Sequence, residues 1–227
     1  MKNLNKIPYV SDSFSAFLVE NAQFTQNEEY PILRDEMISK EVPAKIMPFN
    51  KAITFQGDLS NTYICFYEKD ETFERVRRNP KRYLNFFKRT AGIIGLDFSI
   101  YSDMQIIKQK QQMNDNLSLT YFYGNNGIKI IPNLRCGIDE LVQEFFEAIP
   151  KHNIVAIGTY GFIKTRPQRS EWYCFLETII STLLPTKILV YGPLSDNIFE
   201  AYKNKVQIYL YDTWMDQRIK EYKSHVN

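Results

Sequence analysis

The sequence predicts an α/β fold: a mainly parallel sheet of about six strands with crossover helices, open or incomplete (βα)-barrel-like, carrying an irregular N-terminal arm. Three observations predict it. The apolar runs Ile154-Val155-Ala156-Ile157 and Ile188-Leu189-Val190 are unbroken, as expected of strands buried on both faces. The segments between such runs are long and of helical period, which a parallel crossover requires. The runs also end in polar turns, at Asp97 to Asp103, Pro132-Asn133-Leu134-Arg135, Gly158-Thr159-Tyr160-Gly161 and Tyr191-Gly192-Pro193. In a parallel sheet all C-terminal strand ends open on one edge, and ligand sites form there.

Taken in order, residues 1–57 lack a strong period and are punctuated by Pro31, Pro43 and Pro48, so they are expected to form an arm with short helical pieces packed on the domain. Asn61 to Tyr67 is β-branched and aromatic, a strand by propensity. Asn79-Pro80 starts a helix with proline at its first position, and Tyr83, Leu84 and Phe87 follow at helical spacing. A strand is expected over residues 93–99 and an amphipathic helix over 105–123, ended by Asn125-Asn126-Gly127 as a left-handed cap. Then come a strand at 128–131, a helix at 138–148, a strand at 153–157 and a helix at 169–184 that must stop before Pro185. A strand at 187–191, a helix at 195–202, a strand at 206–211 and a tail helix at 213–227 complete the chain. With no close repeat or low-complexity linker, the expectation is one domain, whose core spans residues 58–212.

Composition narrows the classes. The 227 residues carry a formal charge of +2, without the bulk basic footprint of an obligate nucleic-acid binder, so any basic surface must be local. Cys65, Cys136 and Cys174 are odd in number and widely spaced, which fits reduced thiols and a cytoplasmic setting. His152 and His225 are the two histidines and no CxxC pair exists, arguing against a zinc site and against Ser-His-Asp or Cys-His chemistry. No apolar run approaches a membrane span, so no membrane partner is expected.

Asp97 is the leading catalytic candidate, because a charge inside an apolar run costs several kcal/mol unless it is paired or faces a polar cleft. Ser99 and Asp103 share its turn and could join it as hydroxyl or metal ligands. A magnesium ion would need further oxygens, for which Glu68, Asp70 and Asp212 are available at other strand ends. The plainer alternative is a carboxylate that caps a turn. Arg135 could clamp a phosphate or carboxylate bidentately, or pair with Asp97 or Asp103. Thr159 in its glycine turn, with Lys164, Arg166 and Arg169 following, offers an anion site, although the glycines alone read as turn residues. Arg75, Arg77, Arg78, Lys81, Arg82, Lys88 and Arg89 concentrate charge around Tyr83, Phe86 and Phe87. They form either a phosphate-backbone surface with stacking rings or a solvated helix face over a core stripe.

These segments resemble a family found chiefly in phages, plasmids and other mobile elements of Gram-positive bacteria, domain of unknown function 4417. The resemblance rests on Phe66-Tyr67-Glu68-Lys69-Asp70, Asn79-Pro80-Lys81-Arg82-Tyr83, Leu96 to Met104, Gly127 to Arg135, Ile149-Pro150-Lys151, Val155 to Gly161 and Leu189-Val190-Tyr191-Gly192. In the helix after Asp103, Gln109 and Asn116 fit the family pattern, whereas Asp115 and Leu117 stand where arginines are usual. Leu96 and Gln105 replace prolines, and Cys136 replaces a tryptophan. The resemblance implies a mobile-element context without a settled activity, and the lost cations imply a divergent member. Two functions are therefore expected to compete. One is binding or processing of nucleic acid or a nucleotide at the sheet edge; the other is non-catalytic regulation of a host or element-encoded protein partner.

Overall fold

The structure is a computed structural model that describes residues 12, 14–135, 139–159, 166–193 and 200–226. Seven strands are present among them, all paired in parallel: β1 (Lys45–Pro48), β2 (Thr62–Cys65), β3 (Gly92–Ile94), β4 (Ile130–Ile131), β5 (Ile154–Gly158), β6 (Lys187–Tyr191) and β7 (Gln207–Tyr211). They form a four-stranded sheet ordered β1-β2-β3-β4 and a three-stranded sheet ordered β5-β6-β7, rather than the single sheet of about six strands that the sequence predicts.

The division has a local cause. The free edge of β4 is occupied at its start by the arm, where the Ser39 amide donates to the Ile130 carbonyl at 2.8 Å. Consequently β5 reaches the four-stranded sheet just beyond β4. There the Leu134 amide donates to the Ala156 carbonyl and the Ala156 amide to the Pro132 carbonyl, both at 2.8 Å. Residues 1–57 are also more than an arm, since β1 lies in them and pairs with β2 from Lys45 to Pro48.

Helices connect the strands as crossovers: α1 (Phe49–Ala52), α2 (Asp70–Arg78), α3 (Leu84–Phe87), α4 (Ile106–Asn125), α5 (Asp139–Glu147) and α6 (Arg166–Leu183), while α7 (Trp214–Val226) follows the last strand. The helix expected from Pro80 is instead a 3₁₀ turn, Pro80–Tyr83, followed by the single turn of α3. Gly127 ends α4 with a φ of 84°, the left-handed conformation a glycine adopts freely. On α6, Trp172, Leu176, Ile179 and Leu183 recur at helical spacing and are buried. The core between the first sheet and its helices is aromatic: Phe49, Phe66, Phe73, Phe87 and Tyr123 are buried, and Phe87 meets Tyr123 edge-on at 4.8 Å. Residues 195–199 of the helix expected at 195–202 lie outside the described residues.

Candidate binding site at the C-terminal strand edge

β3 ends at Ile94, five residues short of the strand expected through Ser99, because side chains of α4 take over its backbone. The Thr120 hydroxyl accepts from the Leu96 amide at 3.2 Å. Asn116 accepts from the Phe98 amide at 2.8 Å and donates to the Phe98 carbonyl at 3.1 Å, doing for this segment what a neighbouring strand would do. Gln109 donates to the Met104 carbonyl at 2.9 Å and holds the following turn. Gln109, Gln112 and Asn116 of α4 thus shape the Asp97 to Met104 loop.

Asp97 sits at the head of that loop, 4% exposed. Its Oδ1 accepts from Arg135 Nε at 2.6 Å and from Asn133 Nδ2 at 2.7 Å. Asn133 accepts in turn from the Tyr67 hydroxyl at 3.0 Å. Burial pushes the Tyr67 phenol well above its ordinary value, so its proton stays available to donate. Burial likewise pushes the Asp97 carboxyl up, against the opposing pull of Arg135 and Asn133. For Arg135 the desolvation is overcome by Asp97, whose charge and hydrogen bond hold the guanidinium above its ordinary value. A charge-assisted contact this short is the geometry of an ion pair, with its side chains 14% and 5% exposed. Of the roles the sequence leaves open for Arg135, pairing with Asp97 is therefore the arrangement present.

The Tyr67 ring stacks on Tyr191 with centroids 5.0 Å apart and an interplanar angle of 19°. It also lies against Gly158, where a Cβ would come within 2.6 Å of the ring. Thr159 is buried beside them and its amide donates to the Tyr191 carbonyl at 3.0 Å. Hence ends of β2, β3, β4, β5 and β6 meet in one polar cluster on the C-terminal edge. Tyr67, Asn133 and Tyr191 are not among the candidates the sequence supplies. Each lies at the end of an apolar run, which is the signal that could have found them.

Other candidates fall elsewhere. The Ser99 amide and hydroxyl both donate to Asp70, the first residue of α2, at 3.2 and 2.9 Å. Asp103 is exposed, and among the described residues no hydrogen bond or ion pair joins it to Asp97. The proposed magnesium donors are engaged separately: Glu68 accepts from the Asn50 amide, Asp70 from Ser99, and Asp212 pairs with Lys220 at 2.6 Å. Among the described residues no group of three or more histidine, cysteine or carboxylate side chains is arranged to hold a metal ion. The void lined by Leu96, Asn116 and Asn133 measures about 10 Å³, room for about one water. A larger groove of about 390 Å³, lined by Gly192, Pro193, Asp212, Asp216, Ile219 and Lys220, opens beside the ends of β6 and β7.

The basic segment divides between structure and surface. Arg77 lies over the Phe98 ring at 4.4 Å and is bound by Glu74 at 2.6 Å and Asp115 at 3.0 Å, so it is committed within the fold rather than presented to phosphate. Asp115 thus serves, with Glu74, as an anion for Arg77. Tyr83 and Phe87 are buried and Phe86 packs against the core, so of the two readings the rings form a core stripe rather than a stacking platform. Arg75 covers the Phe49 ring at 5.0 Å and Lys81 the Phe17 ring at 4.0 Å, while Arg78 and Arg82 are exposed. Lys164 and the Arg166 side chain lie outside the described residues, as does Cys136.

The fold and site define a parallel α/β protein whose most elaborate polar cluster is a buried, arginine-centred network at the strand ends. The chain belongs to the family described as Domain of unknown function (DUF4417), whose model matches residues 24–212. It is 24% identical over 129 residues to the Gene 1 protein of Mycobacterium phage L5, covering 57% of this chain and 56% of that protein. To the Gene 1 protein of Mycobacterium phage D29 it is 23% identical over 183 residues, 79% of this chain and 66% of that protein. The chain thus spans less than two thirds of the length of these curated relatives. No solved structure matches it. Among the described residues no helix is long and apolar enough to cross a membrane.

Proposed function

We propose that this member of a phage-related family binds a phosphate-bearing ligand, a nucleotide or a nucleic-acid backbone, at the C-terminal strand edge. The observation that carries the reading is the Asp97–Arg135 pair, in which a nearly buried carboxylate fixes an arginine by its Nε at the edge where parallel sheets take their ligands. A guanidinium gripped at Nε is pre-oriented, and such an arginine suits planar recognition of phosphate. Asp97 is then a positioning residue. Its neighbours are a guanidinium and an amide, which favour a fixed carboxylate over a proton-transfer group. Arg78 closes α2 and Arg82 follows it, a helix length away from the Asp70 end that bonds Ser99 at this edge, so neither belongs to the proposed site. Sequential strand order and the bond between β4 and β5 fit an incomplete (βα) barrel, in which this edge is the ligand-facing rim. The setting is the cytoplasm of the host cell.

A second reading, a non-catalytic protein that regulates a partner, is favoured by the replacement of a usual arginine with Asp115 and its use in an internal ion pair. Calorimetric titration of the whole chain with a nucleoside triphosphate, a single-stranded and a double-stranded oligonucleotide, with and without magnesium, separates the two. Binding of at least one ligand that survives moderate salt is expected. Absence of binding to all of them leaves the partner reading.

A further inference from the structure

α7 follows the last strand. α6 buries Trp172, Leu176, Ile179 and Leu183, whereas α7 leaves Met215 67%, Ile219 48% and Tyr222 72% exposed. These three recur at spacings of four and three, a single stripe on one face. The helix is anchored at its first residue, where the Trp214 amide donates to the Tyr191 hydroxyl at 2.9 Å. A helix of 13 residues is marginal in water unless an apolar face is packed, so this stripe calls for a cover.

The charges beside the stripe say which. With Met215 and Tyr222 at d positions and Ile219 at a, Asp216 and Lys223 both fall at e, one near each end of the same flank. Both are exposed. When two such helices pack antiparallel, like flanks meet, and each Asp216 comes opposite the Lys223 of the other copy. A two-fold axis makes that contact twice. Lys220 pairs with Asp212 at 2.6 Å, while Asp216 accepts from the Thr213 hydroxyl at 2.5 Å and keeps its charge for the contact. We infer that α7 is the contact helix of a symmetric dimer of this chain, formed by antiparallel packing of the Met215, Ile219 and Tyr222 stripes and registered by reciprocal Asp216–Lys223 pairs.

One 13-residue helix per copy makes an interface at the small end of specific contacts, so the dimer is expected to be weak and concentration-dependent. Sedimentation velocity of the whole chain from about 1 to about 100 µM, the range of a weak interface, tests the assignment. Ile219→Asp should give a monomer with unchanged circular dichroism. Asp216→Lys and Lys223→Asp, both on exposed positions, should each weaken dimerisation by about tenfold, and the double reversal should restore it. A wild-type chain that stays monomeric throughout overturns the proposal, as does a dimer indifferent to all three substitutions. Attachment of a persistently monomeric chain to anionic vesicles would give the stripe to a lipid surface instead, and would equally overturn it.

Discussion

At the scale of single residues, the central feature is a carboxylate that cannot be left alone. Removing Asp97 takes the buried anion from Arg135 in a nearly dry site, and from Asn133 the nearer of two acceptors, the other being the Leu96 carbonyl at 3.2 Å. Asp97→Ala is therefore expected to cost about 3–5 kcal/mol in urea unfolding, whereas Asp97→Leu combined with Arg135→Met should cost far less, since a buried pair contributes specificity more than net stability. A second carboxylate, Glu144 on α5, clamps the N-terminal segment: its Oε1 accepts from the Asn27 and Glu28 amides at 3.1 and 2.8 Å. Although burial raises it, the Glu28 amide, the Thr25 hydroxyl and Asn27 hold its pKa below the ordinary glutamate value. Its stabilisation is thus complete above the unfolded-state pKa and is lost as pH falls through the folded one. Glu144→Gln should lower stability by about 1–3 kcal/mol at neutral pH, and the gap to the wild type should close in acid; a gap that does not depend on pH would show that the charge is not what holds the segment. Asp97 was legible in the sequence because it interrupts an apolar run. Glu144 was not, because its partners lie more than a hundred residues away, and nothing local marks a surface-helix glutamate as buried.

Elements were legible where periodicity is strong. The helices now seen as α4, α5 and α6 and the strands β5, β6 and β7 follow from runs long enough to carry a clear period. β1 was hidden, because Lys45 to Pro48 is a four-residue strand ending in proline within an otherwise aperiodic stretch. The length of β3 was misjudged for a different reason: Leu96 to Ile100 has strand-like composition, but Asn116 and Thr120 of α4 take its backbone groups. A side chain competing with a ladder leaves no trace in local composition. The end of β5 supplies a prediction of its own. Gly158→Ala places a methyl against the Tyr67 ring, with an expected loss of about 1–3 kcal/mol. If the clash is with the ring, Tyr67→Leu in the same chain should recover much of that loss in thermal unfolding; no recovery would place the strain in the β5 backbone instead.

At the scale of the whole molecule, the predicted α/β class and the parallel direction of the strands hold, while the sheet is divided in two by the insertion of Ile38 and Ser39 beside β4. Such an insertion depends on where the arm lands, which one sequence does not reveal. The division leaves the C-terminal edge continuous in function, since Tyr67, Asp97, Asn133 and Arg135 from one sheet meet Gly158, Thr159 and Tyr191 from the other. The basic stretch illustrates the opposite case: seven cations close in sequence are dispersed by the fold into ring contacts, an internal pair and scattered surface charge.

In this reading Arg135, fixed by Asp97, receives a phosphate at the strand edge. The most direct test is fluorescence anisotropy with labelled nucleotide and oligonucleotide on the wild type and on Arg135→Lys, which keeps the charge beside Asp97 but loses the planar fork. Binding by the wild type and a loss of about tenfold or more in Arg135→Lys are expected. Equal affinity in the two proteins, or no binding by the wild type, would contradict it.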